Sequence, residues 1–395
     1  MRTRRNHIDL MLLLSVLMLM VLSLGVVYSA SSTWAMAKWG ESGHLLGRHA
    51  IKVLLGFVMI FFFMQVDYHL YKKLSKTILL GAVVLLVVTL GLGAVAKGAV
   101  IKGAARWLDV WGFGFQPSEI AKFALIFHLS TLLALKQDRM QDFKLGFLPM
   151  MIWICLVSVL VLLQPNFSTG VMIFVISLAM LFLGRARLGH LGLTLAALVP
   201  LLLAFMVLAE YRMKRIMAFL AGGGDAGAPN YQSLQGIIGF GSGGLLGVGP
   251  GESRQRDFFL PESYGDFVFS IVGEEYGLIG TLFLLTLFLV ILVRGIRIAR
   301  HARDDFGYML AGGITLAITL YALVNAGVTL GLLPTTGLPM PFVSYGGSSM
   351  VFSAAAVGVL LNISSDTDLH PRIARVTDSG RAADPAPVPA VGKVY

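Results

Sequence analysis

The chain has 395 residues, of which 56% are hydrophobic and only 13% charged. A water-soluble domain carries roughly 25% charged residues, so this composition, with a mean hydropathy of +0.80, excludes a soluble globular protein and points to an integral membrane protein. The net charge of +10 does not signal nucleic acid, because the basic patch with interleaved aromatics is absent; the single cysteine, Cys155, excludes an internal disulfide, and no His/Cys group has zinc spacing.

The charged start Met1-Arg-Thr-Arg-Arg-Asn-His7 looks like that of a signal peptide. The apolar run behind it, 8–30, exceeds the roughly 7–15 residues of a cleaved h-region, and more spans follow, so it reads as an uncleaved first helix. Further runs of about 20 residues fall at 50–66, 78–96, 118–135, 147–164, 170–184, 191–209, 266–293, 309–331 and 348–362, giving ten predicted spans. Gln164-Pro-Asn-Phe-Ser-Thr169 is predicted to be a short turn that barely leaves the membrane. With the N-terminus inside, the inner segments hold 19 of the 31 Lys and Arg residues, as the positive-inside rule requires. An even span count then returns the C-terminus to the cytoplasm. Residues 1–365 are expected to form one polytopic membrane domain, and 366–395, polar and then rich in Pro and Ala, a disordered cytoplasmic tail.

The outer loops carry the unusual sequence. In 97–122, Trp107, Trp111, Phe113 and Phe115 fit a segment lying in the membrane interface. Ser118 and Glu119, after Pro117, mark a helix start, with Lys122 one turn in. The longest outer loop, about 210–265 between the seventh and eighth spans, opens with Tyr211-Arg-Met-Lys-Arg-Ile216. Its glycine-rich run 236–251 lacks the Lys-Ser/Thr ending of a phosphate loop and reads as a compact, re-entrant turn. The last outer loop, 331–349, has too many prolines and glycines for a regular helix.

Four carboxylates, Glu262, Asp266, Glu274 and Glu275, stand at the mouth of the eighth span. An ionisable group at membrane depth is a functional candidate by default. The alternative for Glu262 and Asp266 is helix capping, since a helix N-terminus favours anions.

Taken together, Tyr28-Ser-Ala-Ser-Ser32, Ala105-Arg-Trp107, Gln116-Pro-Ser-Glu-Ile-Ala-Lys122, Gln164-Pro165, Lys214-Arg-Ile216, Gly243-Gly-Leu-Leu-Gly-Val-Gly249, Leu260-Pro-Glu262, Asp266-Phe-Val-Phe269, Gly273-Glu-Glu275, Leu333-Pro-Thr-Thr-Gly337 and Pro341-Phe-Val-Ser-Tyr-Gly-Gly-Ser-Ser349 resemble the SEDS family of bacterial cell-wall proteins, which includes FtsW, RodA and SpoVE. The resemblance spans nearly the whole chain apart from the tail and is nearer to the FtsW branch. Two departures stand out. Asn166 occupies the place of the family's Asp after Gln-Pro, and Tyr264-Gly265 replaces the usual His-Thr before the family's catalytic Asp. Asn166 cannot act as a base.

The resemblance implies an all-α membrane enzyme of the bacterial cytoplasmic membrane. It would polymerise lipid II, a disaccharide–peptide on undecaprenyl pyrophosphate, at the outer face during septal wall synthesis. Asp266 would be the general base for the acceptor hydroxyl, a role worth about 10²–10⁴-fold. Arg106, Lys122, Lys214 and Arg215 would meet the pyrophosphate, although snorkelling to lipid phosphates is the alternative. Trp107, Glu119, Glu262, Glu274, Glu275, Ser344, Tyr345 and Ser348 would support the site. No cofactor is evident; a divalent cation, Mg or Mn, could be held by substrate phosphates and one carboxylate. Expected partners are membrane lipid, a cognate class B penicillin-binding transpeptidase and other division proteins. A lipid II flippase and a non-catalytic division scaffold are the competing readings, and neither needs a general base.

Overall fold

The computed structural model describes residues 7–95, 106–110, 113–207, 210–221, 231–261, 263–367 and 369. Among them, eight helices are long and apolar enough to cross a membrane. They are α1 (Leu10–Trp39), α2 (His44–Gln65), α3 (His69–Val95), α4 (Pro117–Leu135), α5 (Leu148–Leu163), α10 (Val268–Arg300), α11 (Asp305–Thr329) and α12 (Gly347–Asp366). The two other predicted spans coincide with shorter apolar helices, α6 (Phe167–Leu183) and α7 (Leu188–Val207). Local chemistry sets several boundaries. Asp9 and Asp304 each accept a backbone N–H at the start of α1 and α11, Pro117 opens α4, and Gly40 ends α1 in the left-handed conformation.

The helices alternate in direction. One end of the bundle therefore gathers the start of α1 and the end of α12, and is called here the terminal end. The other gathers the long connections and is the loop-rich end. Glycines set the closest approaches: a Cβ on Gly358 of α12 would lie 2.6 Å from the Ile60 carbonyl of α2. At the terminal end, Arg294 donates from Nε (2.8 Å) and Nη2 (2.6 Å) to Asp9, which is fully buried, and the Asp9 N–H donates to Ser364 Oγ. Arg294, counted from the sequence as an inner loop cation, is thus a buried link between α1, α10 and α12.

Two expected loops prove to be structured. The segment 106–116 contains a small antiparallel hairpin, β1 (Leu108–Val110) with β2 (Phe113–Phe115). The long loop contains α8 (Glu210–Ala221) and α9 (Tyr231–Gly243). The glycine run forms one face of α9, because a Cβ on Gly243 would sit 2.0 Å from the Gly273 carbonyl of α10. Past α9, the chain enters a break in α10 at Gly277, whose φ of 63° favours glycine. Val248 and Gly249 N–H donate to the carbonyls of Glu274 and Glu275, and Leu278 and Ile279 N–H donate to those of Gly244 and Leu245. A helix broken at membrane depth is tolerated because the thread satisfies the freed backbone groups. The expected tail, 366–395, lies outside the described residues except for Asp366, Thr367 and Leu369.

Candidate active site

Asp266 lies two residues before α10, at the loop-rich end. The N-cap position is Phe267, so Asp266 does not occupy the capping place. Asn325 of α11 donates from Nδ2 to the Asp266 carbonyl (2.7 Å) and to the Leu338 carbonyl (2.8 Å). This single amide fixes Asp266 against the 331–346 connection. The carboxylate faces Gly337: a Cβ there would be 3.3 Å from Oδ2, and φ of +73° independently favours glycine. Phe267 and Phe269 are buried on either side of Val268, and Asp266 itself is half-buried.

The 331–346 connection then builds a wall. The Met340 N–H donates to Ser344 Oγ (2.8 Å), closing a tight turn. The Tyr345 N–H donates to the Tyr264 carbonyl (2.9 Å), and the two rings meet edge to face at 5.7 Å. The aromatic row continues to Trp34, 5.4 Å from Tyr264. Burial raises the Tyr345 phenol above its ordinary pKa, although Arg48 works the other way, so the ring is neutral at physiological pH. Over that ring lies Lys52 Nζ, 3.9 Å from the centroid. The Gln116 N–H donates to Ser348 Oγ (3.2 Å), joining the start of α4 to that of α12, and Ser168 Oγ donates to the Thr336 carbonyl (2.7 Å).

The other expected site residues fall in different places. Lys122 and Glu119 form a buried ion pair at 2.8 Å, with the Lys122 ammonium also 4.1 Å over the Tyr321 ring. Its charge is neutralised inside the bundle, which removes Lys122 from the outward-facing cations. Arg106 and Trp107 are half-buried beside the hairpin, and Arg106 Nε is enclosed with no hydrogen-bond partner among the described residues. Lys214 is exposed on α8, the Arg215 side chain is not described, and Glu262 lies outside the described residues. Glu274 accepts hydrogen bonds from Ser253 Oγ, Ser242 Oγ (3.3 Å) and the Arg254 and Gln255 N–H groups, and Glu275 accepts from Ser29 Oγ. These two acids anchor the thread and α1 onto α10. Asn166 is buried and donates to Ser118 Oγ at 3.3 Å. Lys52, Arg48 and Asn325 were not singled out from the sequence, and Tyr264 was noted there only as a departure from the family's His. A lysine two residues into the predicted second span was the available signal. No group of three or more His, Cys, Asp or Glu suited to a metal occurs among the described residues.

Residues 9–369 match the cell cycle protein family model of FtsW, RodA and SpoVE. The chain belongs to this family. Among its relatives, the probable peptidoglycan glycosyltransferase FtsW of Trichlorobacter lovleyi is 40% identical, over 93% of this chain and 96% of that one. The corresponding protein of Geobacter metallireducens is 39% identical over 90% and 94%. Stage V sporulation protein E of Bacillus subtilis is 39% identical over 92% and 99%. A solved structure of a peptidoglycan synthase complex, described as coordinating polymerization and crosslinking, contains a chain that superimposes with a TM-score of 0.73 at 25% identity, covering 91% of this chain and 98% of that one. The rod shape determining protein RodA of Thermus thermophilus gives 0.67 at 24% identity, with the same coverages, and shows the common fold. The FtsW, RodA and SpoVE family thus accounts for the all-α multipass architecture.

Proposed function

We propose that this protein is a peptidoglycan glycosyltransferase that polymerises lipid II into glycan strands for septal wall synthesis. Support comes from near-full-length similarity to relatives named for this activity. The observation that carries it is Asp266, a half-exposed carboxylate fixed by Asn325 and facing the Gly337 loop. In this reading the loop-rich end faces outward from the bacterial cytoplasmic membrane, both termini are cytoplasmic, and a class B penicillin-binding transpeptidase is the working partner. The acceptor hydroxyl attacks the anomeric carbon of the donor sugar and gives its proton to Asp266. The new glycosidic C–O bond forms as the C–O bond to the pyrophosphate breaks, and the electron pair leaves with the phosphate. A divalent cation, where one takes part, would neutralise phosphate charge; the donors on offer are substrate oxygens, water and one carboxylate.

The test is synthesis of glycan strands from lipid II by purified protein, alone and with its transpeptidase. Asp266→Asn keeps the shape and removes the base. Turnover is expected to fall by about 10²–10⁴-fold with lipid II binding nearly unchanged, because a base acts in the transition state. Unaffected polymerisation by Asp266→Asn would overturn the assignment, and lipid transport without polymerisation would favour a flippase.

A further inference from the structure

Lys52 lies two turns inside α2, about 12 Å along the helix from His44. An ammonium at such depth faces the bundle interior and takes a partner there. Where this protein buries a cation for structure, it supplies an acid: Lys122 has Glu119, and Arg294 has Asp9. Lys52 is half-buried, yet forms no ion pair or hydrogen bond among the described residues. Among the described residues its ammonium lies over the Tyr345 ring, which attracts a cation but offers its N–H donors no hydrogen-bond acceptor in the plane of a lone pair. Arg48 precedes it by one helical turn on the same face, so two like charges stand together at a cost. The Gly347 turn stands within ordinary van der Waals reach of Lys52. A Cβ on Gly347 would lie 3.5 Å from Nζ and 3.4 Å from Cε, and 3.6 Å from the Gly114 carbonyl. Tyr345, in turn, is bonded to Tyr264, two residues before Asp266.

We propose that Lys52, with Arg48, is the anion subsite that holds the diphosphate of the polyprenyl-linked substrate, walled by the Tyr345–Gly347 turn. This rests on the polymerase reading. The pair would neutralise the diphosphate while substrate is bound and again as it departs with the electron pair of the broken C–O bond. It replaces Lys122 in that role, since Lys122 is already matched by Glu119.

The experiment measures binding of undecaprenyl diphosphate to the purified full-length protein, with undecaprenyl alcohol as the uncharged comparison. Lys52→Met keeps an apolar stem and removes the charge. It is expected to bind the diphosphate about tenfold more weakly, with alcohol binding unchanged, and Lys52→Arg is expected to recover most of the loss. Parental diphosphate binding by a folded Lys52→Met protein would overturn the subsite, as would an equal loss for diphosphate and alcohol, or no diphosphate binding by the parent. Should Lys52→Met fail to fold, Arg48→Met serves: it should weaken diphosphate binding with alcohol binding unchanged, and parental diphosphate binding would overturn the proposal. Binding needs no turnover, so the two readings separate. Lys52-dependent diphosphate binding without polymerisation would sink the polymerase alone. Polymerisation with Lys52-independent binding would sink the subsite alone.

Discussion

At the terminal end of the bundle, the buried Arg294 is closed by Asp9, Arg303 pairs with Asp366, and the Tyr68 hydroxyl donates to Asp304. At the loop-rich end, half-buried Lys52 and exposed Arg48 have no acid, and Arg106 Nε is enclosed without a partner, among the described residues. The two ends carry similar residue types, so composition does not separate them. Completeness of pairing separates Lys52 from the buried Arg294 and Lys122. A matched buried charge holds helices together, whereas an unmatched one is costly to fold and persists where a ligand supplies its counterion.

The sharpest way to break this comparison is to unmatch the matched end. Arg294→Met strands the Asp9 carboxylate in the interior and should cost about 3–5 kcal/mol of stability. Adding Asp9→Leu should restore much of it, because the uncompensated charge is then gone. By contrast, Lys52→Met removes a half-buried cation that has no acid among the described residues and should leave the melting temperature nearly unchanged. Thermal unfolding of the detergent-solubilised variants decides the matter, and equal losses at both ends would dissolve the distinction.

A smaller effect is expected at Tyr68, which lies between α2 and α3. Its hydroxyl donates to Asp304 Oδ1 (2.8 Å), with Asp366 Oδ2 at 3.4 Å. Burial first, and then these two carboxylates, raise the phenol above its ordinary pKa. The stability it lends is therefore present in full below about pH 10 and is lost as the pH climbs through the raised value. Tyr68→Phe should cost about 1 kcal/mol near neutrality and flatten the alkaline limb of a stability–pH profile; an unchanged limb would refute this. The smallest effect is expected for Asn166→Asp at the loop-rich end. Asp can accept from the Ser118 hydroxyl where Asn donates to it, at the start of α6, where a carboxylate is favourable. Glycan polymerisation should persist, and its loss would show that this position must be neutral.

The membrane-spanning helices were legible because long apolar runs leave few alternatives. Asp266 was picked out from the residues around it, and the structure adds what flanking sequence could not: the hold of Asn325 and the approach to Gly337. Lys122 was read as a phosphate cation, although Glu119 three residues earlier is a pairing that helical spacing alone offers. Glu274 and Glu275 stood out in the sequence as acids at the mouth of a span. Their partners Ser253 and Ser29 come from distant segments, so their anchoring role is a tertiary fact. The glycine run hid α9 because its helix depends on packing against α10, which propensity does not register. Lys52 was passed over because a lysine near the mouth of a span ordinarily snorkels to the surface.

The thread through α10 also bears on the order of assembly during synthesis. Its bonds join residues only 26 to 34 positions apart, from Val248 with Glu274 to Leu278 with Gly244. Loop-closure entropy grows slowly with length, and a ribosome adds about 5–20 residues each second. The clip is complete in sequence at Ile279, 26 residues before α11 begins and 68 before α12 begins, so its closure needs neither helix. The break is then never an exposed gap in a finished helix. It is a joint already filled when the last helices arrive to bring Asn325 and the Tyr345 turn against Asp266.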